Sequence, residues 1–193
     1  MSYVSPFLKP EQYITNVGKL SSDGIMIDEA VARAVREARD YSNKHSSDFS
    51  LVKQLKDDLD KFEPRWTESL QASRNGASGL SARLNRFDEV FLSMINDVSS
   101  QQDANDVIVE FKAFLSEDRP SRSPKLEWTP GPKKAFEEIE GLVDQESNHV
   151  IEVMEDSEDW NKAIDELKQK LPEVQKGVKQ VRGALEKYAV EIA

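Results

Sequence analysis

The feature that most constrains this chain is an apolar repeat with alternating steps of three and four residues. The longest run covers residues 136–192 and is interrupted only by Glu146 and Ser157. Its members are Phe136, Ile139, Val143, Glu146, Val150, Val153, Ser157, Trp160, Ile164, Leu167, Leu171, Val174, Val178, Val181, Leu185, Tyr188 and Ile192. A repeat of 3.5 residues keeps one face of a helix against a partner, as in coiled coils. The last third of the chain is therefore predicted to be helical with one buried face.

Two earlier segments have the same spacing. The first holds Ile27, Val31, Ala34, Ala38, Tyr41, His45, Asp48, Val52, Leu55, Leu59, Phe62, Trp66, Ser69 and Ser73. The second holds Leu80, Leu84, Phe87, Phe91, Met94 and Val98. These segments are rich in residues that favour helices, and the period-2 alternation of a strand is almost absent. The sequence therefore predicts an all-α fold.

Three stretches rich in Gly, Ser or Pro divide the chain, at residues 21–24, 75–79 and 119–132. The second predicts a tight turn between helices, and the third, with four of the eight Pro, predicts an extended connector. We therefore expect an N-terminal segment with a short amphipathic helix over 1–24 and a single helical bundle over 25–193. The long helices of this bundle are predicted at about 26–74, 80–118 and 133–192.

The spacing allows two architectures. If each apolar face is continuous, a helix over 134–192 is about 88 Å long at 1.5 Å per residue. The chain then forms an elongated, antiparallel, coiled-coil-like bundle of three long helices and a short N-terminal one. Breaks at 44–48, 101–106, 157–160 or Pro172 would instead give a compact bundle of six or seven shorter helices. Separate helices would each choose their own register, so the unbroken faces favour the elongated bundle.

The composition excludes several classes of function. The chain has no Cys, which excludes disulfides, iron–sulfur clusters and thiolate chemistry. Two His are too few for most imidazole-rich metal sites. The 36 acids outnumber the 26 bases, giving a net charge of −10, which argues against a nucleic-acid partner. No phosphate-binding loop or catalytic serine motif is present, so we expect no enzyme, no cofactor and no small-molecule substrate.

The charge is distributed unevenly along the chain. Residues 135–166 carry twelve acids and one base, whereas residues 167–190 carry six bases and two acids. An antiparallel homodimer could lay the first of these segments against the second segment of its partner and pair the opposite charges. A protein partner, or a second copy of this chain, is therefore expected.

Two residue pairs are candidates for a site. Glu146 and His149 form an E-x-x-H, which places a carboxylate and an imidazole on one helix face, as in di-iron bundles. Such bundles need a second E-x-x-H, and the other histidine, His45, has Ser42 three residues before it. We therefore expect no metal site, and Glu146 and His149 stay weak candidates for one. His45 and Glu146 both fall on apolar faces and could meet in a buried polar layer that fixes helix register.

The connector offers candidates for modification. Ser121 and Ser123 stand among Arg and Pro residues, a context in which phosphorylation can recruit an Arg-lined reader. Residues 1–10 have neither the basic nor the apolar region of a secretory signal. No stretch approaches the run of about 18 apolar residues that spans a membrane. We therefore expect a cytoplasmic protein.

These observations predict a non-enzymatic interaction or scaffold bundle that associates with itself. The alternative is a bundle that binds or inserts into membranes, with the Phe-rich stretches 87–95 and 107–115 as its apolar surface. A second alternative is a metal-binding bundle built on Glu146 and His149. No diagnostic residue connects the chain with a particular family.

Overall fold

A computed structural model describes residues 3–45, 50–156 and 159–192. Within these residues every regular element is a helix. The helices are α1 (Glu11–His45), α2 (Ser50–Arg86), α3 (Ser93–Asp97), α4 (Gln101–Ser116), α5 (Pro130–Asp156) and α6 (Trp160–Glu191). A π-helical segment, Phe87–Leu92, joins α2 to α3 without a break. The all-α prediction is confirmed, and with five long helices the count is close to the alternative of six or seven shorter ones.

The predicted turn at 75–79 is wrong, because this stretch lies inside α2. A methyl group at Gly76 would lie 3.0 Å from the ring of Phe136, and one at Gly79 would lie 3.3 Å from Pro120. The two glycines therefore let α5 and the connector approach the backbone of α2. A glycine inside a helix costs about 1 kcal/mol relative to alanine, which close packing can offset.

The predicted division at 21–24 is also wrong, because α1 continues through it from Glu11. A methyl group at Gly24 would lie 2.7 Å from the side chain of Ile192. Here again a glycine permits a close approach between helices and does not turn the chain. The short helix expected in 1–24 and the long helix expected from 26 are one helix.

The connector at 119–132 is compact, not extended as predicted. Two 3₁₀ turns begin at Pro120 and Pro124, and α5 begins at Pro130. Proline suits the first position of a helix, where its fixed φ is compatible and no N–H is required. Leu126, between these prolines, is fully buried. The prolines thus start short helices that fold the connector onto the bundle.

Of the four suggested helix breaks, two occur as placed, one occurs at 98–100, directly before 101–106, and one does not occur. α1 ends at His45, within 44–48, although residues 46–49 lie outside the described part of the chain. α5 ends at Asp156 and α6 begins at Trp160 with Asp159 as its N-cap, while residues 157 and 158 lie outside the described part of the chain. Pro172 lies inside α6 without ending it. Residues 101–106 are the start of α4, because Ser100 and Asp103 form a capping box there.

The described residues of 3–24 and 70–192 form the main part of the molecule, which we call the body. Its core lies around α6. The buried side chains of this helix include Ile164, Leu171, Val174, Val178, Val181, Leu185 and Tyr188. This helix packs against α1, α2, α5 and the 3₁₀ turn Pro6–Leu8. The apolar run 136–192 therefore continues across two antiparallel helices that share one core, not along one long helix. The stretches 87–95 and 107–115 contribute a buried group of rings, Phe87, Phe91, Phe111 and Phe114.

Part of α1 and α2 extends beyond this core as a helical hairpin. Ser21 donates a hydrogen bond to Glu191, near the C-terminal end of α6. Beyond Gly24, polar side chains of α1 contact α2, as Arg39 does Asp60 at 2.8 Å. We call residues 25–45 and 50–69 the arm. Its length is about 30 Å, from 21 helical residues at 1.5 Å each.

We predict opposite effects of alanine at two glycines of α6. A methyl group at Gly177 would lie 1.9 Å from the carbonyl oxygen of Phe7, whereas one at Gly183 has no atom within 4 Å. Gly177→Ala should lower the free energy of unfolding by about 1–3 kcal/mol through overpacking. Gly183→Ala should raise it by up to about 1 kcal/mol through helix propensity. Urea unfolding followed by circular dichroism measures both, and equal effects would contradict the close packing of the N-terminal segment on α6.

Candidate functional site

The N-terminal segment builds a polar cluster on the body. Ser5 caps the 3₁₀ turn Pro6–Leu8, and its hydroxyl accepts a hydrogen bond from the backbone N–H of Phe7. The Phe7 side chain is buried, with its ring centre 6.1 Å from that of Phe87. This anchor holds Tyr3 and Ser5 against α5.

Glu146 of α5 is the centre of the cluster. Its side chain is buried, and its Oε2 accepts hydrogen bonds from the Tyr3 hydroxyl at 2.8 Å and the Ser5 hydroxyl at 2.5 Å. Burial raises the pKa of Glu146 above its usual value, and the two hydrogen bonds and the positive charge of Lys170 oppose this rise. Other acids of α5 pair with bases, as Asp144 does with Arg119. Among the described residues, no base forms an ion pair with Glu146.

His149 lies one turn further along α5. Its ring stacks on the ring of Tyr3, with the centres 3.6 Å apart and the planes at 22°. Burial lowers the pKa of His149, so its imidazole is neutral at pH 7. Burial and the carboxylate of Glu146 both raise the pKa of Tyr3, so its hydroxyl keeps its proton. The cluster therefore consists of neutral donors around one buried carboxyl group.

A cleft of about 360 Å³ opens beside this cluster. Tyr3, Ser5, Glu146 and His149 line one side of it. Most of the remaining wall is apolar, from α3, α5 and α6, and includes Ile95, Val150, Val153, Leu171 and Val174. Clefts of this size that combine apolar walls with a few polar groups are typical of small-ligand sites.

The structure brings only some of the predicted site residues together. Glu146 and His149 share one face of α5 and line the same cleft, as the E-x-x-H spacing predicts. His45 does not meet Glu146: it lies at the outer end of the arm, with its ring 4.6 Å from that of Tyr41. In the part of the chain that the structure describes, no group of three or more His, Cys, Asp or Glu could hold a metal ion.

The two candidate phosphorylation sites have different surroundings. Ser121 is 1% exposed, and its backbone N–H and its hydroxyl both donate to the buried carboxylate of Glu140. Ser121 therefore makes a structural contact in this conformation, and its phosphorylation stays a prediction. Ser123 is half-buried, and its phosphorylation stays a prediction.

Sequence reasoning missed Tyr3 and Ser5, which complete the cluster. One signal was available, because a serine directly before a proline is a common start of a helical turn. That signal predicts a turn at Ser5. It does not predict that the turn packs against Glu146, because the two residues are 141 positions apart in sequence.

The arm leaves much of its predicted apolar face exposed. Its exposed large apolar side chains are Ile25, Met26, Ile27, Tyr41, Leu51, Leu55 and Phe62. The residues that the arm helix α1 buries are Val35 and Ser42, each one position after a member of the predicted repeat. Other members of the repeat are half-buried, namely Val31, Ala38, Val52, Leu59 and Trp66, so the hairpin buries one edge of the predicted stripe. The other edge, with Ile27, Tyr41, Leu55 and Phe62, is exposed.

The chain matches no protein-family model, and no curated protein is similar to it. None of the described helices is both long and apolar enough to cross a bilayer.

We predict that Glu146 makes the stability of the protein depend on pH. Because burial raises its pKa in the folded state, its favourable contribution is present below about pH 4.5 and is lost as pH rises through the folded pKa. The difference in free energy of unfolding between the wild type and Glu146→Gln should therefore decrease as pH rises. Urea unfolding at a series of pH values measures it. Glu137→Gln, at an exposed position of α5, is the control and should show no such trend.

Proposed function

We propose that this protein is a non-enzymatic interaction module that associates with itself through the arm. The observation that carries the proposal is the row of exposed apolar side chains on a hairpin that has almost no core of its own. Two isolated helices in water gain little stability, so most helices depend on an apolar face packed against other elements. A second arm would supply that packing.

Among the described residues, seven of the twelve exposed large apolar side chains lie on the arm, and the other five are spread over the rest of the molecule. Leu51 is 74% exposed, Met26 62% and Leu55 57%. A contiguous apolar patch on a soluble protein marks an interaction site more often than single exposed residues do. The members of this patch lie along the whole length of the hairpin, from Ile25 to the outer end.

Charge favours a second arm in antiparallel orientation. The outer seven residues of each arm helix, 39–45 and 50–56, carry four bases and one acid. The inner seven of each, 25–31 and 63–69, carry four acids and one base. Antiparallel arms would place each basic outer end beside an acidic inner end, whereas parallel arms would place like charges together.

The rest of the chain also favours contact through the arms. Residues 25–69 carry ten acids and eight bases, so most of the net charge of −10 lies elsewhere. Antiparallel arms keep the two acidic bodies at opposite ends of the dimer. The charge segregation noted at 135–166 and 167–190 does not serve this purpose, because α5 and α6 bury their apolar faces within one body.

The area available is sufficient for a dimer. Two helices side by side present a face about 30 Å long and 20 Å wide. Packing two such faces would bury about 1,200 Å² in total, at the lower limit of specific interfaces. The expectation of an elongated protein also draws support from the accessible surface of 11585 Å², compared with about 9,300 Å² for a compact protein of this mass.

The membrane alternative has less support. Its proposed apolar stretches, 87–95 and 107–115, supply buried phenylalanines to the core of the body. The metal alternative has less support, since no group of three or more His, Cys, Asp or Glu among the described residues could hold a metal ion. Self-association is therefore the function that the geometry supports best.

We predict a dimer that depends on the arm. Light scattering after size exclusion should give twice the monomer mass of 21.9 kDa. Phe62→Asp should reduce the mass to that of a monomer, because it places a charge in the proposed interface. Val109→Asp is the matched control, at an exposed valine of α4 on the body, and should leave the dimer intact. A monomeric wild type would contradict the proposal, and arm-dependent binding of that monomer to lipid vesicles would support the membrane alternative.

The orientation of the arms can be tested separately, because the chain has no Cys. Met26 lies at the inner end of the arm and Leu51 at the outer end, and both are exposed. When Met26→Cys and Leu51→Cys chains are mixed and oxidised, an antiparallel pair should form mixed disulfides between the two variants. Disulfides within each variant alone would indicate parallel arms.

A further inference from the structure

The cleft beside Glu146 lies on the body, away from the arm, and self-association gives it no role. We propose that this cleft binds a small organic cation, a primary ammonium group on an apolar chain, with Glu146 as the partner of the ammonium. The inference combines three properties of the cleft: its buried carboxyl group, its neutral polar neighbours and its apolar wall.

The carboxyl group of Glu146 has one oxygen available. Both of its hydrogen bonds, from Tyr3 and Ser5, go to Oε2. Among the described residues no donor contacts Oε1, although Glu146 lines the cleft and is only 4% exposed. A buried carboxylate without a cation is unfavourable, and its attraction for a positive charge is strong in a poorly solvated site. A ligand ammonium at Oε1 would supply the missing charge.

The neighbours of Glu146 do not supply that charge themselves. Tyr3 and Ser5 are neutral donors, and His149 is engaged in stacking on Tyr3. Lys170 and Glu166 also line the cleft, four residues apart on α6, and both are exposed. The positive charge of Lys170 acts on Glu146 from the entrance, but no ion pair or hydrogen bond joins the two side chains among the described contacts, so Oε1 stays available to a ligand ammonium.

The apolar wall of the cleft determines which chemical group fits beyond the ammonium. Ile95, Val150, Val153, Leu171 and Val174 form an apolar surface that continues from Glu146. Each CH₂ group that is buried there contributes about 0.8 kcal/mol. An ammonium joined to a short alkyl chain satisfies both parts of the cleft, whereas a carboxylate would meet the like charge of Glu146. A neutral alcohol would gain the apolar contact without the ion pair.

Three probes of equal chain length test this assignment: n-hexylamine, hexan-1-ol and hexanoate. Each is titrated into the full chain, with amide NMR shifts of α5 and α6 as the readout. A seven- or eight-atom ligand should bind with a dissociation constant of about 1 mM. We expect hexylamine to bind about tenfold more tightly than hexanol, because one charged hydrogen bond contributes about that factor. Hexanoate should bind most weakly.

Two variants and one control connect this preference to the cleft. Glu146→Gln keeps an acceptor for Tyr3 and Ser5 and should abolish the preference for the amine over the alcohol. Val153→Phe leaves Glu146 in place but fills the cleft, and should weaken both ligands. Glu166→Gln, the control, removes a carboxylate at the exposed entrance and should keep the preference.

Several results would overturn the proposal. These are equal binding of amine and alcohol to the wild type, an unchanged preference in folded Glu146→Gln, or no shift with any probe up to about 10 mM. If Glu146→Gln does not fold, Val153→Phe gives the test. An unchanged affinity of this variant for hexylamine would mean that the amine binds outside the cleft, which also overturns the proposal. None of these outcomes depends on the oligomeric state, so the failure of this inference leaves the proposed function of the arm unaffected.

Discussion

The buried face of α6 is the surface on which the rest of the body depends. α1, α2, α5 and the N-terminal 3₁₀ turn all pack against this helix. Close approach is possible because small groups lie where backbones meet, as at Gly177 beneath the carbonyl of Phe7. The Tyr188 hydroxyl, which enters this core, donates a hydrogen bond to Ser73. Because protein interiors are closely packed, the position of each of these segments depends on α6.

Buried acids then fix the irregular segments on the helices. Glu140 holds the connector through both donors of Ser121, and Glu146 holds the N-terminal segment through Tyr3 and Ser5. In both cases a carboxyl group on α5 accepts two hydrogen bonds from a segment without a long helix. Two hydrogen bonds from one segment to the same buried carboxyl group can order a short segment.

The body and the arm differ in what their apolar side chains contact. In the body, the rings of Phe87, Phe91, Phe111 and Phe114 are packed against one another within one chain. In the arm, the two helices have only each other, and a large part of their apolar surface faces solvent. Because of this contrast, we propose that the arm mediates self-association and that the cleft of the body binds a ligand. It also separates the two proposals physically, since neither surface contributes residues to the other.

The sequence by itself determined the helical class, the apolar faces of α5 and α6, and the shared face of Glu146 and His149. These properties follow from local periodicity, which a helix obeys wherever it is placed. Only the tertiary structure decided that the glycines at 75–79 stay in a helix, since their role depends on Phe136 and Pro120, which are distant in sequence. It also decided which stripe of the arm is buried, and that Tyr3 and Ser5 meet Glu146. A periodic pattern shows that a face needs a partner, but it does not show which segment provides it, because that depends on contacts between residues far apart in the chain.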